Sequence, residues 1–351
     1  MWMKTLWRTV KPLTVCVAAS ILALGVLGGS AVAKTEIIVY TTIEADELAN
    51  YKKEFEKEHP DIEIKWVRDS TGIITAKLLA EKDNPQADIA WGIDASSLLL
   101  LATVDYFQPY APKGLDKLDP ALYDTKNDPP IWLGQRAYIS SICFNTSEAE
   151  KYNLPAPTSW EDLTKPVYKG HVVMPNPNSS GTGYLNVSSW IQMFGEDEAW
   201  RFMDALHENI AWYTHSGSKP CRQAGAGEVP IGISFAFRGA DLKRKGAPLE
   251  VIAPAEGIGW DVESLAIVKG TDKLDAAKKL VDWSMGRTAN EIYAQDYAVV
   301  VMKGMSKPVE YFPEGIVDKM IENDFEWAGA QRPRILKKWS GRYDSKSLPK
   351  E

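Results

Sequence analysis

Short apolar runs alternate with amphipathic stretches through the first half of this chain, and their order predicts an α/β protein built on parallel strands. Residues 37–42 read as a buried strand. In the stretch that follows, Leu48, Tyr51 and Phe55 share one helical face while Lys52, Lys53, Glu54, Glu56 and Lys57 point to water, and Pro60 stops the helix. Ile62, Ile64 and Trp66 then alternate with polar positions, residues 73–81 return to helical spacing, and residues 87–92 make a third strand. A β-α-β-α-β order with right-handed crossovers gives parallel strands, and such sheets bind ligands beyond the carboxyl ends of their strands. Thr41, Thr42, Glu44, Trp91 and Asp94 fall at those ends.

After proline-rich connections at residues 109–112 and 129–130, a second α/β unit begins with the apolar segment 137–144. A short helix opens at 160–163, strands follow at 171–174, 230–235 and 260–268, and helices are predicted over 198–208 and over 274–285, the last capped by Asp272. Between the strand at 171–174 and a helix carrying Tyr184, Val187, Ile191 and Phe194 lie Ser179, Ser180, Gly181, Thr182 and Gly183. At a helix N-terminus the free N–H groups and the positive end of the dipole favour a phosphate, phosphonate, sulfate or carboxylate, and the three hydroxyls add donors. Small residues there also cap helices, which is the plainer alternative. The tail beyond Arg342 is polar and reads as loose.

The N-terminus changes the setting. Lys4, Arg8 and Lys11 precede an apolar run over residues 13–27, and the segment closes with Ala31-Val32-Ala33, the pattern of a cleavable export signal over residues 1–33. Cys16 lies inside that run rather than at its end, which argues against a lipid anchor, and no later segment reaches the roughly 18 apolar residues of a membrane span. Loss of those three cations takes the net charge from −7 to −10, which disfavours nucleic acid and anionic membranes as partners. The expected location is the periplasm. There Cys143 and Cys221 read as a disulfide, with two small buried thiols as the alternative.

Four stretches add specificity: residues 69–77 (DSTGIITAK), 174–183, 214–221 (THSGSKPC) and 259–263 (GWDVE). Together they resemble the periplasmic solute-binding proteins of ABC importers, and in particular those for 2-aminoethylphosphonate. The resemblance implies a two-lobed type II periplasmic binding protein fold, each lobe a mixed sheet flanked by helices, that clamps one ligand without a cofactor, as a monomer, and delivers it to an inner-membrane permease and its ATPase. It places lobe one at residues 34–136 plus 262–310 and lobe two at 137–261 plus 311–351, with crossings near 137–141 and 260–265.

An aminophosphonate needs donors at one end and carboxylate at the other. For the phosphonate the candidates are Ser179, Ser180, Gly181, Thr182 and Gly183, with Thr41, Thr42 and Ser216, and Ser218 as a further donor. For the ammonium they are Glu44, Asp94, Asp261 and Glu263, with Trp260 beside the last two. Trp91, Phe235, Phe237 and His215 are expected to line the cleft, with aromatic faces available to the cation. Arg238 is a candidate direct cation but is expected at the surface, where Arg usually lies, and Glu44 and Asp46 also suit the start of a helix.

Competing classes fit less well. The chain has no Gly-x-Ser-x-Gly, and His59, His171, His207 and His215 lack metal-ligand spacing. A triad of His215, Cys221 and Asp261 fails if Cys221 is bridged, so a secreted hydrolase is the remote alternative. No Tyr-Tyr pair is present to suggest a ferric site. Other ligands remain open on the same fold: phosphate or a phosphate ester, a sulfonate, thiamine phosphate or a polyamine.

Overall fold

The computed structural model describes residues 34–350; the export signal expected over 1–33 lies outside the described residues. The strands are β1 (Thr35–Thr41), β2 (Ile62–Arg68), β3 (Ile89–Asp94), β4 (Phe107–Gln108), β5 (Leu133–Asn145), β6 (Val172–Pro175), β7 (Ile210–Thr214), β8 (Ile231–Phe235), β9 (Leu249–Ile252) and β10 (Trp260–Val268). They form one mixed sheet in the order β2-β1-β3-β10-β5-β8-β6-β7, with β4 beside β10 and β9 beside β5.

In the first half β1 runs parallel to both β2 and β3, as the β-α-β-α-β pattern requires. The chain leaves β1 to one side for β2 and returns to the other for β3, so the crevice between the carboxyl ends of β1 and β3 is a topological switch point. In the second half β6 stands in the same way between β8 and β7, parallel to both. The long strand β5 joins the halves: residues 133–139 pair antiparallel with β10, and residues 140–144 pair with β8.

The apolar side chains gather in separate cores. One contains Ile37, Val39, Phe55, Ile64, Ile89, Trp91 and Leu280. Another contains Ile142, Trp160, Met174, Val187, Trp190, Ile233 and, from the C-terminal helix Phe325–Tyr343, Ile335 and Trp339. A smaller third core surrounds Cys143 and Cys221, which are bonded with their Cα atoms 5.3 Å apart.

Three local expectations need correction. Asp272 does not cap the helix Leu274–Met285, whose N-cap is Lys273 and makes no side-chain cap bond. The opening at 160–163 is a 3₁₀ turn, Glu161–Thr164. The tail is docked rather than loose: Leu348 N–H donates to the Tyr213 carbonyl (2.9 Å), and Lys346 Nζ donates to the Ile210 carbonyl (2.7 Å). Asn176 Nδ2 in turn donates to Ser347 Oγ (2.8 Å), which ties the end of the chain to the loop that precedes Ser179.

Candidate functional site

Two helix N-termini face one another across the middle of the molecule. The helix Gly181–Phe194 follows β6 and is capped by Ser180, whose Oγ accepts from Gly183 N–H at 3.2 Å. The helix Thr71–Ala80 follows β2, and its N-cap Ser70 makes no side-chain cap bond, which leaves that hydroxyl available. Between them lies a cavity of about 40 Å³, lined on its donor side by Thr42, Ser70, Thr71, Ser180, Gly181, Thr182 and Ser216. Arg68, the carboxylates Glu44, Asp94 and Glu263, and the rings of Tyr138 and Phe235 complete the wall. Neutral hydroxyls and N–H groups opposite carboxylates suit a small molecule with an anionic head and a polar or cationic tail.

Glycine is required at two points of this wall. A Cβ on Gly181 would stand 2.5 Å from Asp94 Oδ2 and 2.6 Å from Thr71 Oγ1, so the backbone itself meets the carboxylate from the other half. A Cβ on Gly72 would overlap the Asn178 carbonyl, because Gly72 N–H donates to the Ser179 carbonyl at 2.9 Å. The two halves thus touch backbone to backbone at the rim of the cavity.

Of the residues singled out from sequence, Thr42, Ser180, Gly181, Thr182, Ser216, Glu44, Asp94, Glu263 and Phe235 line this cavity. The others lie elsewhere, each held by a different partner. Thr41 is buried in β1 with its Oγ1 accepting from Ile43 N–H (3.2 Å). Ser179 Oγ donates to the His215 carbonyl (2.7 Å), and Gly183 abuts the Pro175 carbonyl. Trp91 is a core residue whose indole N–H donates to Ser284 Oγ (2.7 Å), and the Trp260 indole donates to the Ile321 carbonyl (2.8 Å). Phe237 stacks on Tyr297, and His215 Nε2 sits 3.3 Å from Asp69 Oδ1.

Asp261 serves the scaffold. Its carboxylate accepts from Ala95 N–H (3.1 Å) and Ser96 Oγ (2.7 Å), which satisfies the start of the helix Ala95–Ala102. Arg68, Ser70, Thr71 and Tyr138 line the cavity and were not assigned from sequence. Ser70 and Thr71 belong to the stretch 69–77, so their signal was present in the motif. Tyr138 had none, since it reaches the site only through the register that sets it opposite Asp261.

Arg238 corrects a further expectation. It is fully buried, not a surface residue, and its guanidinium bonds Glu44 (3.1 Å), Asp46 (2.9 and 3.0 Å) and Asp241 (2.9 Å). Glu44 Oε2 also accepts from Ser218 Oγ and Arg222 Nη2, both at 3.1 Å. Glu44 Oε2 is therefore fully engaged, with Arg68 3.8 Å from Oε1, and Asp94 offers a further buried acceptor in the wall of the cavity. Asp94 is 3% exposed; Oδ1 lies 3.5 Å from Thr71 Oγ1, and Oδ2 has no hydrogen-bond partner among the described residues.

Behind the cavity Glu263 is held by Arg136, which also bonds Glu47 (2.8 Å) and the Tyr51 hydroxyl and lies 3.7 Å over the Tyr297 ring. Burial pushes the Glu263 carboxyl up, against the pull of Arg136. Burial also raises Asp94, and it raises Asp261 to about 7 with the neighbouring Asp94 charge adding to the rise.

A carboxyl raised on folding binds more protons in the folded than in the unfolded chain, so stability is lost as pH rises from the usual carboxylate range of about 4 through the folded value. Acids held low by ion pairs, such as Asp46 at about 2, act at lower pH. We therefore expect the ligand-free protein to lose on the order of 1 kcal/mol of stability between pH 6 and 8 in denaturant titrations. The loss should flatten in Asp261→Asn; an unchanged slope in that variant would contradict this account.

A family model for bacterial extracellular solute-binding proteins matches residues 84–323. An uncharacterised protein of Haemophilus influenzae is 32% identical over 342 residues, covering 93% of this chain and 96% of its own. A probable ABC-transporter periplasmic-binding protein of Sinorhizobium fredii is 30% identical over 68% of this chain and 66% of its own. Among solved structures, the periplasmic binding protein AfuA from Actinobacillus pleuropneumoniae, with exogenous fructose 6-phosphate bound, superposes with a TM-score of 0.82 at 30% identity, over 89% of this chain and 99% of AfuA. With its single mixed sheet, switch-point cavity and extended match to that model, the chain belongs to the bacterial extracellular solute-binding proteins.

Proposed function

We propose that this protein is the periplasmic substrate-binding component of an ABC importer and that it captures 2-aminoethylphosphonate or a close aminoalkylphosphonate between two lobes. The observation that carries the ligand class is the pair of facing helix N-termini with Ser70, Thr71, Ser180 and Thr182, set against the partner-free Oδ2 of Asp94. The first set takes the phosphonate through N–H and hydroxyl donors; Asp94, with Glu263 behind it, takes the ammonium. The separate cores support lobes at residues 34–136 plus 262–310 and 137–261 plus 311–351, with the switch from β10 to β8 pairing within β5 as a crossing.

A hexose monophosphate is the second reading, favoured by the fructose 6-phosphate held by AfuA. The same donors would hold its phosphate, and the carboxylates would accept from sugar hydroxyls. A thermal-shift series decides between the classes: a ligand at 100 times its Kd adds about 2.7 kcal/mol to stability. The expected ranking is 2-aminoethylphosphonate above ethylphosphonate, fructose 6-phosphate and phosphate. A shift with fructose 6-phosphate alone would replace the first reading by the second.

Capture by closure makes Gly72 a sensitive point. Gly72→Val sets a side chain into the Asn178 carbonyl in the closed arrangement, so ligand contacts are made from one lobe only. Affinity should fall about 100-fold, ~2.7 kcal/mol, with the melting temperature of the ligand-free protein little changed. Retention of wild-type affinity would exclude closure at this contact.

A further inference from the structure

The C-terminal helix Phe325–Tyr343 rests on the helix that begins after Asp94. A Cβ on Gly329 would lie 2.7 Å from the Ser96 carbonyl and 3.3 Å from Leu99 Cβ, so the two helices meet with no side chain between them at that point. One turn further along the same face is Arg332. It is 3% exposed, its guanidinium carbon stands 4.3 Å from the centre of the Tyr184 ring, and neither Nη1 nor Nη2 has a hydrogen-bond partner among the described residues. Asp94 Oδ2 and the Tyr138 hydroxyl are likewise buried and complete no hydrogen bond of good geometry, and the hydroxyl acts on the Asp94 carboxyl as a neighbouring donor.

A buried guanidinium with two open donors is costly unless an acceptor or an opposite charge answers it. The groups that act on Asp94 come from several elements: Tyr138 from β5, Asp261 and Glu263 from β10, Thr71 from the helix Thr71–Ala80, and Arg332 from the C-terminal helix, while the Gly181 backbone abuts its carboxylate. Arg136, on the far side of Glu263, is already engaged with Glu47 and Glu263. The charge of Arg332 acts on Asp94 from the C-terminal helix, and its two terminal nitrogens have no hydrogen-bond partner of their own among the described residues.

Resting on the reading of Asp94 as the acceptor for the ligand's cationic tail, we propose that Arg332 is a positioning residue of the binding site, supplying the positive charge that balances Asp94 from behind and holds it toward the cavity. Glu263 is already answered by Arg136, while Asp94 and the neighbouring Asp261 share this one cation, so the tail end of the cavity keeps acceptor capacity for an ammonium. Burial raises the Asp94 carboxyl and Arg332 opposes the rise, which agrees with this role. The consequence is that the C-terminal helix, far from the Ser-Ser-Gly-Thr-Gly loop in sequence, sets the preference for an amine-bearing ligand.

The test compares Arg332→Met with Arg332→Lys in the mature protein. Carboxyl ¹³C NMR of ¹³C-aspartate-labelled, ligand-free protein, with Asp94→Asn identifying the signal, should show the Asp94 midpoint rising by about one unit or more in Arg332→Met and returning toward wild type in Arg332→Lys. By calorimetry at pH 7, Arg332→Met should bind 2-aminoethylphosphonate about tenfold more weakly, with the loss deepening at lower pH, while ethylphosphonate affinity stays within about twofold. If Arg332→Met does not fold, Arg332→Gln serves in its place. An unmoved Asp94 midpoint in a folded variant, or equal loss for both phosphonates, would overturn the proposal. If the wild type fails to bind 2-aminoethylphosphonate while the midpoint still moves, the ligand assignment falls and the role of Arg332 at Asp94 stands.

Discussion

Arg136→Ala should destabilise the protein by about 3–5 kcal/mol, the usual cost of removing one partner from a buried ion pair. Arg136 is 1% exposed and is the shared partner of Glu47 and Glu263. Its removal leaves two buried carboxylates facing one another, opens a cavity under the rings of Tyr51, Tyr293 and Tyr297, and unpairs the Tyr51 hydroxyl. Since folded proteins hold only about 5–15 kcal/mol in reserve, such a loss would be visible in expression as well as in denaturant titration. The effect should be partly relieved at low pH, where Glu47 and Glu263, both raised by burial, take up protons. Glu263 also lines the candidate cavity, so on the proposed reading any folded fraction should bind more weakly. A destabilisation under about 1 kcal/mol in urea would show that the carboxylates escape to water when the arginine is gone.

Loss of the disulfide should cost about 2–5 kcal/mol. Cys143 lies in β5, and Cys221 lies in the helix Lys219–Gly225, 78 residues away, so the bond closes a long loop and constrains the unfolded chain. Both sulfurs are fully buried in their own small core, and Gly239 lets a neighbouring helix approach Cys143 Sγ closely. The bond also fixes the stretch before Cys221, in which Gly217 is wedged against Thr182 and Ser216 lines the cavity. In Cys143→Ala/Cys221→Ala the urea midpoint should fall and the slope should rise as the released unfolded chain expands, and ligand affinity should fall with them. An unchanged midpoint would mean that the core around the sulfurs, rather than the bond, carries the stability.

Much of the first half was legible because its elements are local. Periodicity located β1, β2 and β3 with their helices, and the parallel switch point followed from their order, which placed Thr42 and Asp94 at the site. The Ser-Ser-Gly-Thr-Gly loop was readable for the same reason, since a cap and the helix it starts are neighbours in sequence. Partners distant in sequence were not readable. Asp261 meets the Ala95 N–H 166 residues away, and Arg238 meets Glu44 194 residues away; each bond turned a candidate ligand contact or surface residue into part of the scaffold. The helix Phe325–Tyr343 was hidden by Pro333 within it and by a polar sequence whose buried members, including Arg332, make sense only against Tyr184 and the helix after Asp94.

One cavity, on this reading, takes an anion at the facing helix N-termini and a cation at Asp94. Calorimetric titration of the mature, ligand-stripped protein with 2-aminoethylphosphonate, alongside ethylphosphonate, phosphate and fructose 6-phosphate, tests it most directly. The expected result is saturable 1:1 binding of the aminophosphonate that weakens at least tenfold, about 1.4 kcal/mol, when the amine is absent. Equal affinity for ethylphosphonate, or binding of fructose 6-phosphate with none of the aminophosphonate, would contradict it.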